Sequence, residues 1–154
     1  MTPSALLAHR FFAALHRGDK DGALAAVQEG LDYYNRRELG PIFDFLDPKV
    51  QWIPPAHSLE QPQRGHAAVR EMFDRWLEGW EELRIEVEEV FSAGELIVLF
   101  VRQTGCGLSS GVEVENRVGF LWRVDRGRVV RFEVFPRRAE ALGGSRDQER
   151  LPPG

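Results

Sequence analysis

Side chains able to do chemistry are sparse in this chain, and the most informative one is an amide. Residues 111–122 read GVEVENRVGFLW, in which Val112, Val114, Val118, Phe120 and Trp122 alternate as one face of a strand would. Asn116 interrupts that stripe. A buried amide without a partner costs about 1–3 kcal/mol. Asn116 therefore either meets a ligand in a cavity or bonds a structural partner such as a backbone group or Tyr34. The presence of an amide on an otherwise apolar face marks it as a pocket wall.

Other reactive types stand more alone. His57, in PPAHSLE, is the candidate acid/base, because a histidine titrates near neutral pH. Arg102 sits in an otherwise apolar strand and is a candidate anion binder, against the alternative of an arginine reaching solvent. Cys106 lies in TGCGLSSG with no nearby histidine to activate it and reads as a bystander. His57, Glu60 and His66 do not have the spacing of a compact metal motif, so no metal and no cofactor is expected. The pairs Glu81–Glu82 and Glu88–Glu89 are adjacent rather than opposed, and read as solvated surface.

The elements that must position these residues follow from periodicity. Leu6, Leu7, Phe11, Ala14 and Leu15 have helical spacing over 4–16, closed by Gly18. A second helix, about 21–37, carries Leu24, Val27, Leu31 and Tyr34. GPIFDFLDP is a short helix, VQWIPP a brief strand and AHSLEQPQRG a loop. HAAVREMFDRWLEGWEEL reads as one long helix with Val69, Met72, Phe73, Trp76, Leu77, Trp80 and Leu83 on its apolar face. The period then changes to two. LRIEVEEVF and ELIVLFVRQT are strands joined at SAGE, the second apolar enough to be covered on both faces. After the loop TGCGLSSG, VEVENRVGFLWRV and RVVRFEVF form a hairpin across DRG. GGSRDQERLPPG is a polar tail expected to be disordered.

Helices, one short strand, a long helix and then four successive strands give an α+β fold. The expected architecture is a curved antiparallel sheet with helices on its concave side, forming a cone with an internal cavity. A chain of 154 residues with 43% hydrophobic content supports one such core. With 20 basic and 24 acidic residues there is no basic stripe for nucleic acid. No apolar run approaches the ~20 residues of a membrane span. The start does not read as a signal peptide, and one cysteine fits a reducing cytoplasm.

LDPKVQW (46–52), RGHAAVREMFDRW (64–76) and VDRGRVVRFEVFPRRAEAL (124–142) together resemble the SnoaL-like branch of the nuclear transport factor two-like superfamily. The resemblance covers roughly 25–142. It implies the cone, its pocket, and a homodimer through the outer sheet face, where Glu113, Glu115, Arg117 and Arg123 would point. FFAALHRGDKDGAL resembles the usual end of the family's first helix but lies upstream of the copy followed by LDPKVQW. Residues 1–20 are thus an added helix, 21–142 the cone domain and 143–154 the tail.

Catalytic templates from the same superfamily do not carry over. The ketosteroid isomerase positions fall on Ile53 or Pro54 for the base, Gly30 for the tyrosine, and Gly119 or Phe120 for the protonated acid. The epoxide hydrolase positions fall on Arg102, Thr104 and Val134, so one of three survives. What remains is a protein binding a small apolar molecule, with Tyr34, Trp52, His57, Trp76, Arg102, Asn116, Trp122, Val134 and Phe135 as candidate ligand-binding residues. The alternative is a lyase, cyclase or isomerase acting on a hydrophobic, polyketide-like substrate through His57 or Asn116 with Arg102.

Overall fold

The computed structural model describes residues 3–56 and 58–136. Helices α1 (Pro3–His16) and α2 (Lys20–Asn35) precede a 3-10 turn (Gly40–Asp44) and strand β1 (Leu46–Ile53). Strand β2 (Gln63–Arg64) and helix α3 (His66–Glu78) follow. Strands β3 (Trp80–Ala93), β4 (Leu96–Gly107), β5 (Glu113–Asp125) and β6 (Arg128–Phe135) complete the chain. All six strands form one sheet in the order β2-β1-β6-β5-β4-β3. The pairs are antiparallel except β1 with β6, which run parallel. Register shifts interrupt β3 twice, β5 near Arg123, and the β1–β6 pairing between Leu46 and Gln51. Such irregularities bend strands, and here they curl the sheet around the helices.

Helix α1 is part of the same core. Its Phe11 is fully buried and lies 5.8 Å, centroid to centroid, from both Phe45 and Trp122. The turn to α2 is fixed by Asp19, whose Oδ1 accepts the Gly22 N–H at 2.9 Å. That bond, the largest of several effects, holds the Asp19 carboxyl below its ordinary pKa. Along α2, Ala23, Ala26, Val27, Gly30, Leu31 and Tyr34 are buried against the sheet. Gly30 is there for close approach: a Cβ would stand 2.9 Å from the Phe45 ring. The position that a catalytic tyrosine would occupy is thus filled by a neighbouring ring.

Side-chain amides on α2 complete the edge of the sheet. Strand β3 is the last in the order, so one side of its backbone has no strand partner. Asn35 supplies it: Oδ1 accepts the Ile85 N–H at 2.8 Å and Nδ2 donates to the Ile85 carbonyl at 3.0 Å. One helical stretch earlier, Gln28 Oε1 accepts the Val87 N–H at 2.7 Å. Arg37, with φ of 67°, donates to the Leu77 and Trp80 carbonyls at 3.0 and 2.8 Å. Together these bonds tie α2 to the end of α3 and the start of β3.

Three boundaries differ from the sequence reading. The long helix ends at Glu78, not near Leu83, and Trp80 opens a strand. Trp80 pairs with Gly107 and Glu82 with Cys106, and a Cβ at Gly105 would stand 2.8 Å from the Trp80 ring. Ladder bonds and the seat over a glycine outweigh the helical pattern, and Gly79 provides the stop. For the same reason TGCG is strand rather than loop, the turn being 108–110. The loop after β1 contains the short β2, paired to Gln51 and Trp52. The expected disordered tail and His57 lie outside the described residues.

The β4 strand is covered on both faces as its composition predicts. Ile97, Leu99 and Val101 join the main core, whereas Leu96, Val98 and Phe100 cluster with Leu121 and Phe135 on the other side. Beyond that cluster the outer face is charged. Arg84–Glu86 (3.1 Å), Glu86–Arg102 (2.8 Å) and Arg102–Glu115 (3.8 Å) cross β3, β4 and β5. Arg117 extends the ladder to Glu88 at 3.0 Å. These exposed pairs each contribute at most about 1 kcal/mol.

Replacing Asn35 with Ala removes both bonds to Ile85 and is expected to cost about 1–3 kcal/mol. Urea denaturation measures it, and an unchanged midpoint would contradict the edge-completing role. Gly30→Ala forces a methyl against Phe45 and should cost a similar ~1–3 kcal/mol by overpacking.

Candidate functional site

Between α2, α3 and the inner sheet face lies a cavity of about 320 Å³. Sheet pleating decides which residues reach it: on β5, Asn116, Val118, Phe120 and Trp122 share the inner face. Exposure rises along that row. Trp122 is 1% and Phe120 6% exposed, Val118 is half-buried and Asn116 is open to solvent. The cone is therefore sealed at Trp122 by Phe11, Phe45 and Phe132, and opens toward Asn116. Tyr34 and Leu31 from α2, with Phe73 and Trp76 from α3, form the helical wall, and Trp52 closes the side along β1.

Of the sequence candidates, Tyr34, Trp52, Trp76, Asn116, Trp122 and Val134 line this cavity. Two do not. Arg102 lies on the outer face, where its guanidinium is engaged by Glu86 and Glu115. Its strand neighbours Val101 and Gln103 point the other way, as alternation requires. The pairing of Arg102 with Asn116 in one catalytic set is thereby excluded, since they sit on opposite sides of the sheet. Phe135 also faces outward, packing with Leu96, Val98, Phe100 and Leu121. His57 falls outside the described residues. The neighbouring loop contributes Pro55, Ser58 and Glu60 to the mouth, where Glu60 lies 3.8 Å from Arg75 of α3.

His66 begins α3 and is occupied structurally. Its Nε2 lies 2.9 Å from the Leu46 carbonyl, and its ring sits edge-on to Phe43. Among the described residues no group of three or more His, Cys, Asp or Glu is arranged to hold a metal ion. Cys106 is half-buried on β4 at a wider hollow on the outer face, where Glu82, Arg84, Glu113 and Glu115 make up half of the lining.

Apart from Glu60 at the mouth, the polar inventory of the cavity is neutral. Gln103 was not singled out by sequence, because only strand register reveals it: Gln103 on β4 is the direct cross-strand partner of Asn116. Both amides line the cavity, and neither side chain makes a hydrogen bond within the described residues. Tyr34 is 4% exposed, and its hydroxyl likewise has no partner there. Trp122 lines the closed end with its Nε1–H buried and lacking an acceptor. The one charged residue in the described lining is Glu60.

Burial raises the Tyr34 pKa above the ordinary tyrosine range, with Arg37 opposing and Asp74 adding to the shift. The phenol is therefore a permanent donor at neutral pH. The unfolded chain ionises at a lower pH than the fold, so the stability linked to this group is complete below the ordinary tyrosine range. It is lost as pH climbs beyond that range. Denaturation midpoints across the alkaline range should fall more steeply in the native sequence than in Tyr34→Phe. Equal slopes would contradict the buried, protonated phenol.

The comparisons with known proteins agree with this geometry. The family model described as a SnoaL-like domain matches residues 27–132. A crystal structure of an NTF2-like protein of unknown function from Burkholderia pseudomallei is 27% identical, with a TM-score of 0.63, covering 76% of this chain and 92% of its own. A putative SnoaL-like polyketide cyclase from Jannaschia is 18% identical, with a TM-score of 0.61, and matches 99% of this chain and 98% of its own. TerC, co-crystallized with polyporic acid, is 19% identical with a TM-score of 0.63, over 74% of this chain and 90% of its own. No curated protein matches. The cone, the match across most of the chain and these shared architectures lead to one assignment: the chain belongs to the SnoaL-like domain family, within the NTF2-like superfamily.

Proposed function

We propose that this protein binds a small, largely apolar molecule in the cone. The observation that carries this reading is the lining itself. Aromatic and aliphatic walls enclose about 320 Å³, while a few polar groups with no internal partner converge on the same space. Each 100 Å² of apolar ligand surface withdrawn from water would contribute about 2.5 kcal/mol. The ring walls provide that burial, and the polar groups orient the guest. TerC's co-crystallization with polyporic acid supports a small-molecule guest for a fold of this shape.

Binding takes precedence over catalysis because the described lining lacks an opposed acid and base. Glu60 is the one charged residue there, and it is paired with Arg75 at 3.8 Å. Proton abstraction would need a positioned base together with a donor for the developing charge. The reading includes a cytoplasmic protein, for which the lone, unpaired Cys106 is the support. Among the described residues no helix is long and apolar enough to cross a membrane. It also includes a homodimer through the outer sheet face. The support there is the row of exposed ion pairs on that face, with the exposed Phe91 packed against Phe100 beside them.

Val118→Trp should fill the middle of the cavity while leaving the floor and the edge clasp intact. Native mass spectrometry of protein purified under non-stripping conditions is expected to show a bound small molecule in the native sequence and none in the variant. Equal occupancy in a folded variant would place the ligand elsewhere.

A further inference from the structure

We infer that the cavity selects an uncharged ligand bearing a carbonyl or similar acceptor, and that the Gln103–Asn116 pair is its recognition element. The inference rests on the binding reading above and adds the ligand's chemical class. Register puts the two residues directly opposite each other on β4 and β5. Directly opposed side chains on an antiparallel pair start from Cβ atoms about 5 Å apart. Their amides therefore form one contiguous polar spot, and each presents both a donor and an acceptor. Neither is used within the described residues.

Charge decides the class. A carboxylate or phosphate entering the cone would lose water and gain no cation, because the described lining holds no Lys, Arg or His. Arg75, near the mouth, is paired with Glu60 at 3.8 Å, and Arg102 has its guanidinium on the far side of the sheet with Glu86 and Glu115. An acceptor oxygen, by contrast, finds neutral donors. Tyr34 lines the same cavity, and its hydroxyl has no hydrogen-bond partner among the described residues. A buried donor left unpaired is costly, and a carbonyl removes that cost.

Three naphthalene probes of matched shape separate the possibilities: acetonaphthone, naphthoate and ethylnaphthalene, titrated into the full chain by calorimetry at neutral pH. The ketone is expected to bind at least ~10-fold tighter than the carboxylate, equivalent to about 1.4 kcal/mol. In the double variant Gln103→Leu, Asn116→Leu, the ketone should lose roughly 10-fold while the hydrocarbon keeps or gains affinity. Circular dichroism and thermal melting establish that the variant is folded. Should it not fold, Asn116→Leu alone serves, its side chain being solvent-open. Carboxylate binding as tight as ketone binding would overturn the charge argument. Ketone affinity untouched by the substitutions would overturn the amide pair as recognition element. Hydrocarbon binding with no ketone preference would overturn this inference and leave the binding reading standing. Failure of all three probes would overturn both.

Discussion

The free edge of β3 is the constraint on which the site depends. An unpaired strand edge exposes backbone donors and acceptors, and a cone built from a curled sheet always ends in one. Here Asn35 acts as a surrogate strand residue for Ile85, and Gln28 does so for Val87. Because both amides belong to α2, the same bonds that blunt the edge also fix how far that helix stands from the sheet. Tyr34 and Leu31 are thereby held as wall rather than collapsing as filling. Phe11, Phe45 and Trp122 plug the narrow end, so the space that remains is bounded by structure on all sides but the mouth.

That arrangement separates charge from the cavity. Pleating sends Arg84, Glu86, Arg102, Glu115 and Arg117 to the outer surface, where they form pairs in water. Inside are rings, aliphatics and neutral polar groups. Ionised groups in such a space would be costly unless paired, whereas amides and a phenol retain useful hydrogen-bonding capacity at lower cost. The Tyr34 shift follows from the same physics, since desolvation disfavours the phenolate and keeps the proton in place.

Much of the architecture was legible in the chain. Alternation in GVEVENRVGFLW located the inner face of β5, and Asn116 on it does line the cavity. ELIVLFVRQT, apolar at nearly every position, is buried on both sides from Leu96 to Val101. Failures came where tertiary contacts override local pattern. Trp80 continues the helical period of Trp76, yet the ladder to β4 and the bare backbone at Gly105 claim it for a strand. Arg102 looked unusual inside an apolar run, but a strand carries two faces, and only the register with Glu86 and Arg117 tells which it occupies. Gln103 was invisible for the complementary reason: its significance is its cross-strand neighbour. The partner of Asn35 was equally hidden, because a side chain bonding to backbone 50 residues away leaves no local signature.

Amide hydrogen exchange, resolved by residue, tests the central claim most directly. With α2 completing the sheet edge, the Ile85 and Val87 N–H groups, bonded to Asn35 at 2.8 Å and Gln28 at 2.7 Å, should be protected nearly as strongly as the interior of β4. Exchange of those two amides at the rate of an open edge strand, with β4 still protected, would contradict it.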